Sequence, residues 1–233
     1  MCGRYVQPKS VGDLARIFGA VVQAPADLWE PSWNIPPSSS IPILLESVAG
    51  EAEFQRRIAL AQWSLTPPWS KTLTSRFATF NARIESASEK PAFKASVKSK
   101  RAIIPASGYY EWVGEGASRR PHYIHLPDGD LALAGLYSWW RDPAADKDDD
   151  ARWHLTATML TSDAVHTIAD VHDREPVPLP RDLWDEWLDP TVAGDQELLD
   201  RVAAASLPIA RELVHHEVAP LRGDDPALIE PLS

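Results

Sequence analysis

The stretch that decides the fold is Arg101-Ala102-Ile103-Ile104-Pro105-Ala106-Ser107-Gly108-Tyr109-Tyr110-Glu111-Trp112. It begins as a short apolar strand, turns at its proline and glycine, and continues as a second, aromatic strand. In the second strand Tyr110 and Trp112 share one face, while Tyr109 and Glu111 share the other. Short strands separated by turns indicate a sheet protein rather than a helical bundle.

Similar runs flank this stretch on both sides. The sequence predicts further strands at Ile41–Leu45, 56–65, 121–126, 131–140, 153–161 and Glu212–Val218, and helices at Ser10–Gly19, Ser86–Lys98, Ser162–Asp170, Arg181–Leu188 and Gln196–Ala205. The 21 prolines agree with short elements. We therefore predict one α+β domain over residues 1–222, with a curved, mostly antiparallel sheet or open barrel as its core and peripheral helices. Residues 223–233 are predicted to form an irregular tail.

The composition favours a globular cytoplasmic protein. Hydrophobic residues make up 44% of the 233 residues, yet no apolar run approaches the roughly 20 residues of a membrane helix. The start of the chain lacks the apolar run of a secretion signal. The net charge of −10 argues against indiscriminate binding to nucleic acid.

The charge is unevenly distributed along the chain. The segment Lys71–Arg101, called here the basic segment, has a local charge of +6, which leaves −16 for the remainder. Aromatic residues lie just before it and within it, namely Trp63, Trp69, Phe77, Phe80 and Phe93. Cations beside stacking surfaces are typical of a groove for single-stranded nucleic acid. A solvated helix face with core aromatics is the simpler alternative.

The seven histidines do not predict a metal site. His122 and His125 fall on opposite faces of a strand, and the adjacent His215 and His216 diverge in the same way. With one cysteine in the chain, zinc has little support. We predict no metal and no organic cofactor.

The single cysteine, Cys2, directly follows the initiator methionine. Removal of Met1 would leave an amine and a thiol on one residue. This aminothiol can capture an aldehyde as an imine and close it to a thiazolidine, or its thiol can attack an acyl carbon with the amine as base. An incidental small residue near a frayed terminus is the third interpretation.

Three further groups could supply chemistry. Glu111, among aromatic side chains, suits a general acid if it is buried, although an exposed strand glutamate is commoner. His172, in a loop after a predicted helix, could be an acid–base group or an ordinary surface residue. Asn81 and Arg83 share one face of an extended segment and could bind a sugar and a phosphate, or form a turn and a solvated charge.

Several of these pieces occur together in a characteristic order. They are Cys2-Gly3-Arg4-Tyr5, Trp33-Asn34-Ile35-Pro36-Pro37, Trp63-Ser64-Leu65-Thr66-Pro67-Pro68-Trp69, Phe80-Asn81-Ala82-Arg83-Ile84-Glu85, Pro105–Trp112, Ala134-Gly135-Leu136-Tyr137 and His172-Asp173-Arg174. In these motifs the chain resembles the SRAP (SOS-response-associated peptidase) family, whose members sense abasic sites in DNA. The resemblance extends from Cys2 to about residue 220.

The resemblance implies a role for each matching position. Cys2 would crosslink to the ring-opened aldehyde of an abasic site, Asn81 would orient the cysteine and sugar, and Glu111 would assist ring opening. His172 would assist the imine and thiazolidine steps and crosslink reversal. The implied DNA contacts are phosphate binding by Arg4, Arg83 and Arg174, a hydroxyl contact from Thr161, and stacking or wedging by Trp69, Trp112, Pro36 and Pro37.

The implied function is a crosslink that shields abasic sites in single-stranded or junction DNA, made by a monomeric cytoplasmic protein that joins the nucleoid on damage. A peptidase with an N-terminal cysteine nucleophile and a noncovalent DNA-binding module are the alternatives. Three residues depart from the family pattern: Ser64 replaces a glycine, Pro36 an alanine and Glu175 a methionine. Glu175 is expected to add negative charge near the DNA groove.

Overall fold

The computed structural model describes residues 2–23, 25–49, 53–74 and 77–232. Its strands are β1 Tyr5–Gln7, β2 Val21–Val22, β3 Ser32–Ile35, β4 Ser40–Ala49, β5 Glu53–Trp63, β6 Asn81–Arg83, β7 Arg101–Ala106, β8 Gly108–Val113, β9 Arg120–His125, β10 Leu131–Arg141, β11 Trp153–Asp163, β12 Arg174–Pro176 and β13 Val214–Glu217. Its α-helices are α1 Val11–Phe18, α2 Lys94–Ser99, α3 Trp184–Leu188 and α4 Gln196–Glu212.

Five of the strands close on themselves as a barrel. β5 pairs with β4, β4 with β7, β7 with β10, and β10 with β11, each time antiparallel. β11 then returns to β5 in parallel, through Thr156 opposite Gln62 and Ala157 opposite Trp63. Closure leaves these strands without a free edge between them. The prediction of one mostly antiparallel α+β domain is confirmed, with a barrel that is closed rather than open.

A second sheet lies against the barrel, with strand order β13-β9-β8-β1-β3. The chain leaves the barrel at the end of β7 and enters this sheet at Gly108, the first residue of β8. A side chain at Gly108 would put its Cβ 2.5 Å from the Ile124 carbonyl oxygen, closer than any real contact. The turn of the opening stretch therefore joins two sheets, and glycine is required because the strands approach so closely there.

Helices cover the outside of the barrel, and α1 forms as its sequence predicts. The Ser10 side chain accepts a hydrogen bond from the Asp13 N–H, and Gly19 ends the helix in the left-handed conformation at φ 62°. The buried face of α1 includes Phe18, whose ring stacks on Trp184, the first residue of α3, at a centroid distance of 4.7 Å. This stacking packs α1 against α3.

The prediction of a helix over Ser86–Lys98 is wrong for its first half. Residues 84–93 form turns, and the α-helix spans only Lys94–Ser99. Pro91 lacks an N–H and disfavours helical backbone at the residue before it, so the helix begins after it.

The prediction of a helix over Ser162–Asp170 is also wrong. Ser162 and Asp163 continue strand β11, opposite Glu175 and Arg174 of β12, and only a 3-10 helix follows at His166–Asp170. Pairing with a strand distant in sequence overrides the local capping signal. This pairing brings β12 beside the site described below.

The last residues of the chain pack against the second sheet. They include a 3-10 helix, Pro226–Ile229, in which Leu228 is buried. The Leu232 N–H donates to the Glu217 carbonyl of β13 at 2.9 Å, and the Asp224 carboxylate accepts from the Trp33 N–H at 2.6 Å. The domain boundary at residue 222 stays a prediction.

Candidate functional site

Cys2 lies between the barrel and the second sheet and is fully buried, with no exposed surface. Its thiol donates to the Arg4 carbonyl oxygen at an Sγ–O distance of 3.5 Å. Burial raises the pKa of the Cys2 thiol well above its usual value, and the negative charge of Glu111 raises it further. The thiol is therefore held in its neutral form.

Asn81 reaches Cys2 because of an unusual strand pairing. The short strand β6 runs parallel to β11, with Asn81 opposite Met159. Its Nδ2 donates to the Cys2 carbonyl oxygen at 2.7 Å. Within the described part of the chain its Oδ1 is buried and has no hydrogen-bond partner. The asparagine thus fixes the Cys2 backbone and still holds one free acceptor.

Glu111 projects from β8 toward Cys2. As the alternation of a strand predicts, Tyr109 lies in the buried cluster of Cys2, whereas Tyr110 and Trp112 lie in a different one. Its side chain is 2% exposed. Burial raises the pKa of Glu111, whereas the positive charges of the chain's amino terminus and of His172 lower it. A carboxyl that is buried but lies near positive charge can hold or release a proton. Tyr110 and Trp112 lie on the opposite face, where Tyr110 joins a separate apolar cluster with Trp33.

Trp112 is therefore not part of the buried cluster that contains Cys2. Its indole packs in the outer cluster of the second sheet, and the Arg119 guanidinium lies over its ring at 5.6 Å. The resemblance assigns DNA contacts to both Trp112 and Trp69. The structure separates them, because Trp112 packs on the second sheet and Trp69 lies at the basic segment.

His172 follows the 3-10 helix His166–Asp170 and begins the turn into β12. Its Nδ1 accepts from the Arg174 N–H at 2.9 Å, and Asp173 Oδ1 lies 2.8 Å from the same nitrogen. The first contact suits a neutral ring with its hydrogen on Nε2, and the second suits a protonated ring. His172 therefore has a partner in both protonation states, as an acid–base group needs.

Several buried polar atoms around Cys2 have no hydrogen-bond partner among the residues that the structure describes. They are the hydroxyl oxygens of Tyr5 and Tyr109, Asn81 Oδ1 and Glu175 Oε2. Both tyrosines pack in the same buried cluster as Cys2, and burial raises the pKa of each hydroxyl well above its usual value. Buried polar groups are nearly always paired, so a cluster of unpaired ones indicates a place for a polar ligand or water.

The three arginines differ in how freely they could meet a phosphate. Arg83 is exposed on β6, and Arg4 is half-buried with its Nη1 donating to Asn34 Oδ1 at 3.0 Å. Arg174 is 5% exposed and is held by the carboxylates of Glu85 and Asp163, with closest distances of 2.9 and 2.5 Å. Its guanidinium is thus already neutralised by protein groups.

Thr161 lies beneath Arg174 and is fully buried. Its carbonyl oxygen accepts from Arg174 Nη2 at 2.6 Å, and its hydroxyl oxygen is 3.5 Å from the same nitrogen. Thr161 therefore belongs to the support of Arg174. Glu85, the last residue of the motif Phe80–Glu85, to which no role was assigned, holds the same guanidinium with both carboxylate oxygens.

An open groove of about 790 Å³ begins at Asn81 and runs along the basic segment. Its walls combine two exposed rings, a half-buried ring and cations: Trp69 and Phe77, Phe93, and Lys71, Arg83 and Lys90. Trp69 is 67% exposed, so its ring is accessible for stacking. Phe77 is 81% exposed at the same groove. The Pro36-Pro37 turn is half-buried and does not line this groove.

Not all of the basic segment contributes cations to the surface. Arg101 is buried and donates to five backbone carbonyl groups, those of Val97, Lys98, Trp187, Asp189 and Val192. It joins α2 and the α3–α4 connection to the barrel and is unavailable to a ligand. Arg76 lies outside the described residues.

Two classes of site receive no support within the residues described. No group of three His, Cys, Asp or Glu side chains is placed to hold a metal ion. His122 and His215 do meet, with their Nδ1 atoms 3.0 Å apart across β9 and β13, but as a pair. No helix in the described ranges has the length and apolar character to cross a membrane.

The fold and the buried Cys2 site together define the class of protein. The family model described as SOS response associated peptidase (SRAP) matches residues 1–221. The chain belongs to the SRAP family.

Named relatives and solved structures agree with this assignment. The chain is 33% identical over 192 residues to the abasic site processing protein YoqW of Bacillus subtilis, covering 82% of this chain and 81% of that protein. It is 28% identical to the abasic site processing protein HMCES of Gallus gallus, covering 88% of this chain and 67% of that protein.

Among solved structures, a Bacteroides thetaiotaomicron protein shares the fold over the full length of both chains, with a TM-score of 0.78 and 21% identity. A phage-related protein from Bordetella bronchiseptica gives a TM-score of 0.68 and 29% identity, covering 94% of this chain and 95% of that one.

Proposed function

We propose that this protein processes abasic sites in single-stranded or junction DNA by forming a covalent thiazolidine through Cys2 once Met1 is removed. The names of its relatives support abasic-site processing. The observation that carries the proposal is that Asn81 and Glu111 act on Cys2 and that His172 acts on Glu111, together with unpaired buried polar atoms among the described residues. A ring-opened sugar, which carries hydroxyl and carbonyl oxygens, is a ligand that could satisfy those atoms.

The protonation state of Cys2 favours chemistry that begins at the amine. A peptidase mechanism needs a thiolate, and burial holds the Cys2 thiol neutral. A free α-amine titrates at about 7.7–8.0, so part of it is unprotonated near neutrality. The amine attacks the aldehyde, water leaves as the imine forms, and the thiol then adds to the imine carbon. Glu111 supplies the proton transfers that open the sugar ring, and His172 assists the imine steps and their reversal.

The groove at the basic segment provides the path for the DNA strand. Arg83 and Lys90 contact phosphates, while Trp69 and Phe77 stack on bases, all beside Asn81 at the inner end of the groove. Arg4 offers a further cation at the Cys2 end, and the Pro36-Pro37 turn borders the lesion from the other side. We assign Arg174 and Thr161 a supporting role for His172, because the Arg174 Nη atoms are held by Glu85, Asp163 and the Thr161 carbonyl while its backbone N–H donates to His172. We expect the protein to act as a monomer in the cytoplasm.

Intact-mass analysis after incubation with an abasic single-stranded oligonucleotide tests the proposal. The wild-type protein should lack Met1 and gain the mass of the oligonucleotide less one water. Cys2→Ala, which keeps the amine, should give no heat-stable adduct but should bind the same DNA. Cleavage of a peptide panel without any DNA adduct would favour the peptidase instead, and salt-sensitive binding without a mass shift would leave a noncovalent module.

A further inference from the structure

Trp63 is the last residue of β5 and lies in the same buried cluster as Cys2, with no exposed surface. Its backbone N–H donates to the Ser39 carbonyl and its carbonyl accepts from the Ser38 N–H, both at 2.8 Å. Ala157 of β11 lies opposite it where the barrel closes. The indole therefore stands on a firmly paired part of the barrel, and the proposed mechanism gives it no role.

The indole N–H of Trp63 contacts the backbone directly before Asn81. Its Nε1 donates to the Phe80 carbonyl oxygen at 2.9 Å, and the Met159 N–H donates to the same oxygen at 3.0 Å. A carbonyl oxygen has two lone pairs, so these two donors satisfy it. The Trp63 ring also meets the Phe80 ring edge-on, with the centroids 5.8 Å apart. Trp63 thus fixes both the backbone and the side chain of the residue that precedes Asn81.

Asn81 depends on such anchors because it follows a long irregular stretch. Between β5 and β6 the described residues form only turns, bends and loops, and β6 itself has three residues. Two further contacts come from the end of β5. The Leu65 N–H donates to the Thr79 carbonyl at 3.1 Å, and the hydroxyl oxygens of Ser64 and Thr79 lie 3.0 Å apart. The end of β5 therefore sets the position at which β6 begins.

The same indole also packs on the Cys2 side of the site. Its ring meets the ring of Tyr5, in the strand that follows Cys2, edge-on at 5.2 Å. The hydrogen bond from Asn81 Nδ2 to the Cys2 carbonyl, at 2.7 Å, lies between these two segments of chain. A hydrogen bond depends on the distance and the angle between its partners. One rigid ring that contacts both segments is suited to hold that geometry.

We propose that the indole N–H of Trp63 is a positioning group for crosslinking. By holding the Phe80 carbonyl it keeps Asn81 Nδ2 on the Cys2 carbonyl, and so fixes the orientation of the Cys2 amine and thiol toward the aldehyde. Misplacing a reacting group by about 1 Å can cost about 100-fold in rate. Trp63 does not line the DNA groove, so it acts through Asn81. This inference rests on the proposed function.

Trp63→Phe tests the inference because it keeps a buried ring and removes the N–H, while Met159 still donates to the Phe80 carbonyl. Formation of the adduct with an abasic single-stranded oligonucleotide should slow by about 10-fold, the effect of one lost positioning hydrogen bond. Affinity for the same DNA, measured by anisotropy in a Cys2→Ala background, should stay at the wild-type value. The split between rate and affinity distinguishes positioning from loss of the groove.

Trp187→Phe is the matched control. Trp187 is also fully buried, and its Nε1 donates to the Ala102 carbonyl at 2.8 Å, but it belongs to the cluster that does not contain Cys2. The two variants lose the same groups and should lower the melting temperature by similar amounts. Only Trp63→Phe should slow the adduct.

A second measurement follows Asn81 itself and does not depend on the reaction. The side-chain amide hydrogens of Asn81, identified in NMR spectra by their absence from Asn81→Ala, should exchange with solvent at least about 10-fold faster in Trp63→Phe than in the wild type, because the hydrogen bond to Cys2 opens more often. In Trp187→Phe they should exchange at the wild-type rate.

Each outcome decides the question. A wild-type adduct rate in Trp63→Phe overturns the inference, as does an equal slowing in Trp187→Phe, since that slowing would report lost stability. A slow adduct with unchanged exchange at Asn81 also overturns it, because the effect would not pass through Asn81. If the wild type forms no adduct, the proposed function itself fails, whereas the exchange rates still show whether Trp63 positions Asn81.

Discussion

The resemblance implies phosphate binding by both Arg83 and Arg174, but the structure gives the two side chains different environments. Substitution of each by alanine should therefore have different effects on stability and on DNA binding. Arg83 is exposed at the groove, whereas Arg174 is 5% exposed and bonded to Glu85, Asp163 and the Thr161 carbonyl. Breaking a buried ion pair costs about 3–5 kcal/mol. The Glu85 and Asp163 side chains are 48% and 87% exposed, so water recovers part of that loss.

Arg174→Ala should therefore lower the free energy of unfolding by about 2–3 kcal/mol, a drop of roughly 4–12 °C in melting temperature for a domain of this size. Arg83→Ala should leave the melting temperature unchanged. It should weaken binding to single-stranded DNA and reduce the slope of log K against log salt by about 0.7, the value of one phosphate contact. Arg174→Ala should keep the wild-type salt slope.

Thermal unfolding followed by circular dichroism measures the melting temperature. Fluorescence anisotropy from about 50 to 300 mM salt measures the slope of log K against log salt. The binding assay uses a Cys2→Ala background so that no adduct forms. Arg211→Ala, an exposed arginine in the last turn of α4, is the matched control and should change neither quantity. If Arg174→Ala melts like the wild type and loses salt dependence as Arg83→Ala does, the interpretation of Arg174 as a structural support is refuted.

Three further predictions concern other parts of the molecule. The side chain of Glu175, predicted to add charge near the DNA groove, is 1% exposed. Burial raises the pKa of Glu175 from 4.5 to about 7. Between these pH values the folded state holds a proton that the unfolded state releases, so the protein loses stability as pH rises through this range. Glu175→Met should therefore raise the melting temperature more at pH 8 than at pH 4, and an equal effect at both would contradict this. Trp69→Ala should cost about 1–3 kcal/mol of single-stranded DNA affinity, the value of one stacked base, while Trp153→Ala, also exposed, should bind normally; equal losses would contradict the assigned groove. Asn34 accepts from Arg4 and donates to the Gly223 carbonyl, so the tail holds the partner of Arg4. Asp224→Ala removes the acceptor of the neighbouring Trp33 N–H and should slow adduct formation without lowering groove affinity, measured by adduct yield over time and by anisotropy. An unchanged rate would show that the tail does not position Arg4.

Local patterns in the sequence were enough for several elements. The spacing of Ser10 and Gly19 specifies α1 because capping involves only neighbouring residues. Alternation in β8 places Tyr109 and Glu111 on one face because successive side chains of any strand point to opposite sides. The predicted helix over Ser162–Asp170 failed because its first residues find strand partners in β12.

By itself the sequence determined the class of fold, the order of the SRAP motifs and the candidate residues Cys2, Asn81, Glu111 and His172. The tertiary structure decided which of those residues meet. Asn81 reaches Cys2, 79 positions away, only through the parallel pairing of β6 with β11. The inward turn of Glu175 and the capture of Arg174 by Glu85 likewise depend on strands far apart in the chain, and local side-chain preferences carry no information about such pairings.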